Sequence, residues 1–382
     1  MKTYLDNAAT TKVAPEVMEV IKEYSTEKYG NASSLHSFGR KARDALEKAR
    51  ARIAKELNAA PEEIIFTASG TEADNLAIKE TAFFHKDKGN HIITSKIEHP
   101  AVKETCRFLE EMGFEVTYLD VDKNGFVDLK QLEKAIKKNT ILVSIMHANN
   151  EIGTIEPIDK IGEICRKKGV IFHTDAVQSF TKIPIDVKKI KADLISLSAH
   201  KIHGPKGIGV LYKRKNVKIG TLIHGGGHEF GLRSGTENVA GAVGFAKAVD
   251  LVDKEDIAKM KKLRDKLIDG LMKIPETILN GPKDKRLCNN VNVAFKYIEG
   301  EALVLRLDDE GVAASTGSAC SSKSLLPSHV LIAIGLKPRE AHGSLRLSLS
   351  KYTNEEEVDY ALKVIPKVVE ELRSISPLWR KK

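Results

Sequence analysis

The chain has 382 residues, 42% of them hydrophobic, which is longer than one core comfortably fills and so predicts two domains. No apolar run reaches the length of a membrane span and no signal-peptide core follows Met1, so the sequence reads as a soluble, cytoplasmic chain with no membrane partner. The net charge of +9 arises from 61 basic residues interleaved with 52 acidic ones on helix-like stretches; these read as solvated faces, and the lack of an aromatic-rich basic stripe argues against nucleic acid as a partner.

In chain order, apolar strand patterns are expected over 64–67, 91–95, 116–119, 141–148, 170–174, 194–198 and 209–212. Helical periodicity is expected between them over 40–58, 72–85, 101–112, 129–138 and 158–168. This alternation predicts a mostly parallel α/β sheet covered by helices on both faces. Beyond a Gly-rich stretch, 225–235, helices are expected over 237–252 and 257–272. Strands over 290–294 and 344–348 and a closing helix over 355–373 then describe a smaller α+β domain.

Two residues at predicted strand ends carry the chemistry. Asp175 follows Val170-Ile171-Phe172, and Lys201 follows Leu194-Ile195-Ser196-Leu197, which places both where open α/β sheets bind ligands. A lysine amine can form a Schiff base with the aldehyde of pyridoxal 5'-phosphate (PLP), and a carboxylate can keep the ring nitrogen protonated. Either residue alone reads as a solvated loop charge. Ser69-Gly70-Thr71-Glu72, between a strand and a helix, is a phosphate cradle or an ordinary N-cap. Ser198 and His200 could donate to the same phosphate, and His99 could stack on the ring and move protons or be a capping residue. Asn149, Asn150 and Gln178 either bond cofactor and substrate oxygens or shape turns. Arg346, a cation in an apolar strand, captures a substrate carboxylate or forms a buried ion pair. The histidines His200, His203, His224 and His228 lack the spacing and carboxylates of a metal site. Cys106, Cys165 and Cys288 fall in patterned segments and read as small core residues. Cys320 sits instead among small polar residues from Ala314 to Ser324, which predicts a mobile, exposed thiol, either a nucleophile and sulfur carrier or a plain surface cysteine.

Together these segments resemble the cysteine desulfurases, PLP enzymes of the class V aminotransferase group. The resemblance runs nearly end to end, through Tyr4 to Thr11, Asn31 to His36, Ser69 to Glu72, Glu98-His99, His147 to Gly153, His173 to Gln178, Ser198 to Lys201, Arg233 to Asn238 and Ser318 to Cys320. It implies the fold-type I PLP transferase architecture, with a seven-stranded-type sheet in a large domain over 13–254 and a small domain of 1–12 with 255–382. It further implies a homodimer in which Thr236 reaches the PLP phosphate of the neighbouring subunit. Gly70, Thr71, His99, Asn150, Asp175, Gln178, Ser198, His200 and Lys201 would hold the cofactor, and Asn150 and Arg346 the substrate L-cysteine. Lys201, His99 and Cys320 would convert L-cysteine to L-alanine, with the sulfur left on Cys320 as a persulfide. The sulfur would then pass to an acceptor protein such as an iron-sulfur scaffold. The context of Cys320 is similar to the subclass with the longer catalytic loop, and Thr236 to Val239 is closest to the nitrogen-fixation type.

Overall fold

The computed structural model describes residues 1–316 and 327–379. Its centre is a seven-stranded sheet. In addition to β1 (Thr3–Tyr4), the chain forms β2 (Ile64–Thr67), β3 (His91–Ser95), β4 (Glu115–Leu119), β5 (Thr140–Ser144), β6 (Ile171–Asp175), β7 (Leu194–Ser198) and β8 (Gly209–Lys213), arranged as β2-β8-β7-β6-β5-β3-β4. The inner strands are buried on both faces because helices cover both, as parallel sheets require. β8 alone runs against its neighbours, pairing antiparallel with both β7 and β2. Two reversals restore direction, so β2 points the same way as β3, β5, β6 and β7. The loops that follow all five strands therefore leave one edge of the sheet.

Most predicted elements appear with ends moved by a few residues, and two differences have clear causes. β5 ends at Ser144 rather than continuing to residue 148, because the chain doubles back: Glu156 N–H donates to the His147 carbonyl at 2.9 Å, and Ala148 bridges Ile155. The N–H groups of Ile145 and His147 still donate to the His173 and Asp175 carbonyls at 3.2 and 2.8 Å, and Ile145, Met146 and Ala148 are buried. A helix at Pro15–Thr26, started by proline at its first position, precedes the first one the periodicity indicates.

A second sheet is built from β9 (Thr277–Leu279), β10 (Asn290–Phe295) and β12 (Ser344–Ser348), antiparallel in the order β12-β10-β9. Helices Lys254–Leu271 and Glu355–Ile375 pack on it around Leu267, Val293, Leu345 and Ile365. The N-terminus joins this second core: Leu5 is fully buried in it, and β1 pairs parallel with β11 (Val312–Ala313). Asn7 Nδ2 donates to the Ser348 carbonyl at 2.8 Å, and Ala8 N–H to Ser348 Oγ at 2.7 Å. These bonds carry Ala8 and Ala9 across to the edge of the large sheet.

Candidate active site

The loops at that edge enclose a cavity of about 420 Å³. Gly70, Thr71, His99, Asn150, Asp175, Gln178, Ser198, His200, Lys201 and Arg346 all line it. Asp175 ends β6, and Lys201 ends the short 3-10 turn Ala199–Lys201 that follows β7, so the sheet register, Asp175 opposite Ser196, sets the two side by side. Lys201 Nζ donates to the carbonyls of Ala8 and Ala9 at 2.6 and 2.7 Å. Asp175 accepts from Val177 N–H at 2.8 Å; burial pushes its carboxyl up, while that N–H and the Lys201 ammonium draw it back.

Behind Asp175 lies a polar layer to which the sequence reading assigns no role. Asp74, on the second turn of helix Gly70–Phe84, is buried with Oδ1 unpartnered and lies 3.6 Å from His173 Nε2. Burial, then the Asp175 charge, pushes the Asp74 carboxyl well up, because two close buried carboxyls cannot both ionise at low cost. His173 is clamped between Ser144 Oγ at 2.8 Å and Ser196 Oγ at 3.0 Å, and burial pulls it down to about 3, so it is neutral.

The phosphate-cradle segment caps its helix: Ser69 Oγ accepts from Glu72 N–H at 3.1 Å. A side chain at Gly70 would meet Val177 Cγ2 at 2.7 Å, so glycine is what lets the turn pass the loop after β6. Ser198 Oγ is buried there with no partner. His200 Nδ1 lies 3.1 Å from Thr10 Oγ1, and burial followed by the nearby lysines pulls the ring down to about 4. Gln178 Nε2 donates to the Ala8 carbonyl at 2.9 Å.

On the substrate side, Arg346 forms a buried ion pair and also lines the cavity. Arg346 is buried on β12, its Nη2 pairs with Asp6 Oδ1 at 2.9 Å, and its Nη1 donates to the Asn150 carbonyl at 3.1 Å. Its Nε is buried without a partner. The two asparagines separate: Asn149 shapes the turn, accepting from the N–H groups of Glu151 and Ile152 at 2.9 Å each, whereas Asn150 lines the cavity. Glu151 lines it too; burial pushes its carboxyl up to about 7, against a 2.5 Å bond from Ser328 Oγ. His329, next along the chain, completes the lining, a residue that sequence reading passes over because a lone histidine after Pro327-Ser328 carries no motif.

Thr236 lies elsewhere, in a separate cleft with Gly207, Glu229 and Asn238. Cys320 lies outside the described residues, as do Lys323 and the basic residues 380–382. Cys106, Cys165 and Cys288 are free and buried.

The family model described as aminotransferase class-V matches residues 3–361. A protein of Dictyoglomus turgidum named cysteine desulfurase IscS is 54% identical over 381 residues, covering 98% of this chain and 96% of its own. A protein of the same name from Clostridium botulinum strain Hall is 55% identical over 384 residues, covering 99% and 97%. Among solved structures, a NifS-like protein superposes with a TM-score of 0.92 at 44% identity, covering 97% of this chain and all of that one. One titled SspA in complex with cysteine has a TM-score of 0.84 at 41% identity, covering 93% and 100%.

Proposed function

The chain belongs to the aminotransferase class-V family and is a cysteine desulfurase with the fold-type I architecture, and on that premise we propose that it binds PLP in the cavity at the sheet edge, takes L-cysteine as substrate and carries the released sulfur on Cys320. The observation that carries this reading is the convergence on one cavity of Asp175 from the end of β6, Lys201 from the turn after β7 and Arg346 from the middle of β12.

The residues present suit each polar end of the cofactor. The turn at Gly70 and Thr71, the unpartnered Ser198 hydroxyl and His200 suit the phosphate. The buried Asp175 carboxyl suits a protonated ring nitrogen, whose charge would offset the burial that pushes it up. Gln178 and His99 suit the ring and its oxygen, and Lys201 the aldehyde. When bound, the cofactor supplies an electron sink for the carbanion at the substrate α-carbon.

Arg346, steadied by Asp6, holds the substrate carboxylate together with Asn150. Lys201 takes the α-proton, its amine aimed from the side where the Ala8 and Ala9 carbonyls fix it. His99 accepts from Ala101 N–H at Nδ1, so its hydrogen is on Nε2, where it can be given or shared. The Cys320 thiolate attacks the substrate sulfur: an S–S bond forms, the carbon-sulfur bond breaks, and its electron pair passes to the β-carbon, which gains a proton to leave as alanine. Both described flanks of 317–326 end at this pocket. Ser315 pairs with Arg346 through backbone bonds of 2.7 and 3.2 Å, and Ser328 bonds Glu151, which favours delivery of Cys320 here.

The separate cleft around Thr236 and the exposed apolar side chains Tyr29, Leu35 and Phe230 suit a homodimer in which Thr236 serves the neighbouring phosphate site. An acceptor protein such as an iron-sulfur scaffold takes the persulfide sulfur, the division into 13–254 and 1–12 with 255–382 describes the domains, and the cytoplasm is the compartment. Among the described residues no helix is long and apolar enough to cross a membrane. The test is incubation with L-cysteine, with alanine quantified and persulfide mapped by mass spectrometry. Alanine with one added sulfur on Cys320, and loss of sulfur release in Cys320→Ser with the bound-cofactor spectrum intact, is the expected result. Unchanged turnover in Cys320→Ser would replace this reading with a PLP lyase that bypasses the thiol.

A further inference from the structure

His329 lines the cavity, and the chemistry above gives it no task. It opens the short helix His329–Ala333 and lies close enough to His99 to perturb that ring's charge. Its position is fixed twice. The preceding Ser328 hydroxyl donates to Glu151 Oε2 at 2.5 Å and accepts from Leu331 N–H at 3.3 Å, pinning the turn to the cavity floor. The imidazole Nε2 then lies 2.9 Å from the Glu98 carbonyl oxygen. A carbonyl can only accept, so the hydrogen of the neutral ring is on Nε2 and Nδ1 is a bare acceptor. His99 is the reverse, with Nδ1 occupied by Ala101 N–H and a donor at Nε2. Burial pulls His99 down to about 4. Burial and then Lys103 also lower His329, against the Glu98 carbonyl and the Glu104 charge, which favours the neutral form of both rings. Besides His200, which faces Thr10 and suits the phosphate end, the pocket thus contains one imidazole donor at His99 and one imidazole acceptor at His329.

The donor has uses in the proposed chemistry; the acceptor has none until a substrate brings a hydrogen to it. Of the carboxyls lining the pocket, Asp175 serves the ring nitrogen, Asp74 lies behind it 3.6 Å from His173 Nε2, and Glu151 Oε2 is already bonded to Ser328. We propose that His329 Nδ1 accepts the hydrogen bond of the substrate's side-chain S–H, which makes His329 the residue that reads cysteine as a thiol. A neutral acceptor suits the chemistry, since it orients the S–H without ionising the sulfur, and a sulfur that keeps its proton does not repel an attacking thiolate. This role rests on the cysteine desulfurase reading.

The test compares the holoenzyme with His329→Leu and His329→Gln in two reactions. One is alanine formation from L-cysteine. The other is exchange of the α-hydrogen of L-alanine in heavy water, followed by proton NMR, which needs Lys201 and the cofactor but offers no thiol. His329→Leu is expected to lower kcat/KM for cysteine by roughly three- to tenfold, the worth of one neutral hydrogen bond, with His329→Gln intermediate and alanine exchange at the wild-type rate. In the cofactor-free protein, long-range proton-nitrogen NMR of the His329 ring is expected to show the hydrogen on Nε2. Equal losses in both reactions, no loss in either, or the opposite tautomer would overturn the role. A wild-type enzyme that exchanges alanine yet leaves cysteine untouched would instead overturn the desulfurase reading, and this role with it.

Discussion

Glu156→Gln isolates the cost of a buried carboxyl in the hairpin that carries Asn150 and Glu151. Glu156 is 2% exposed, its Oε2 accepts from Val127 N–H at 3.2 Å, and its Oε1 is unpartnered. Burial pushes it from 4.5 up to about 8, with the Val127 N–H opposing and the Asp122 charge assisting. Below pH 4.5 the carboxyl is protonated in folded and unfolded chains alike, and its stabilising effect is complete. Between pH 4.5 and about 8 the unfolded chain gives up a proton that the folded one keeps, so unfolding gains with rising pH. At about 1.4 kcal/mol per unit, the loss reaches roughly 5 kcal/mol above pH 8, an order-of-magnitude ceiling. Glutamine does not titrate, and at acid pH it costs about 1 to 3 kcal/mol through an unpaired amide. Urea midpoints of both proteins, taken at steps from pH 5 to 9 with equal cofactor loading, are expected to cross: the variant weaker in acid and stronger in base. Curves that remain parallel across this range would refute the burial reasoning for Glu156.

Arg50 and Glu229 form a buried bidentate pair at 2.8 and 2.9 Å, and Glu229 also accepts from Phe66 N–H at 2.7 Å, which ties the segment before Thr236 onto β2. Glu229→Ala leaves the guanidinium buried and is expected to cost about 3 to 5 kcal/mol by chemical denaturation, whereas Arg50→Met with Glu229→Met recovers most of it; an equally damaged double variant would contradict this. Gly70→Ala drives a methyl against Val177 Cγ2 and is expected to weaken PLP binding by about 1 to 3 kcal/mol in a fluorescence titration, with the circular dichroism spectrum unchanged. Adding Val177→Ala should restore affinity, and a Gly70→Ala protein that binds PLP normally would show that the turn has room to shift.

The residues legible in the sequence are those announced by their own neighbours. An apolar strand followed by Asp175 or Lys201, and Ser69-Gly70-Thr71 before a helix, declare a position at the sheet edge without any long-range information. What the sequence leaves open depends on partners far along the chain. Arg346 bonds Asp6, 340 residues away, so no local pattern could decide between substrate capture and an internal ion pair. The ion pair does not exhaust the side chain, because the guanidinium has more donors than Asp6 and the Asn150 carbonyl use. Asp74 looks like an ordinary polar residue on a helix until the sheet sets it behind Asp175. His329 shows the limit most clearly: its chemistry is determined by which ring nitrogen is occupied, and that depends on the Glu98 carbonyl brought from 231 residues away. A histidine read alone is a donor or an acceptor with equal right. The fold decides which by occupying one nitrogen, and at His99 and His329 it decides in opposite senses within one pocket.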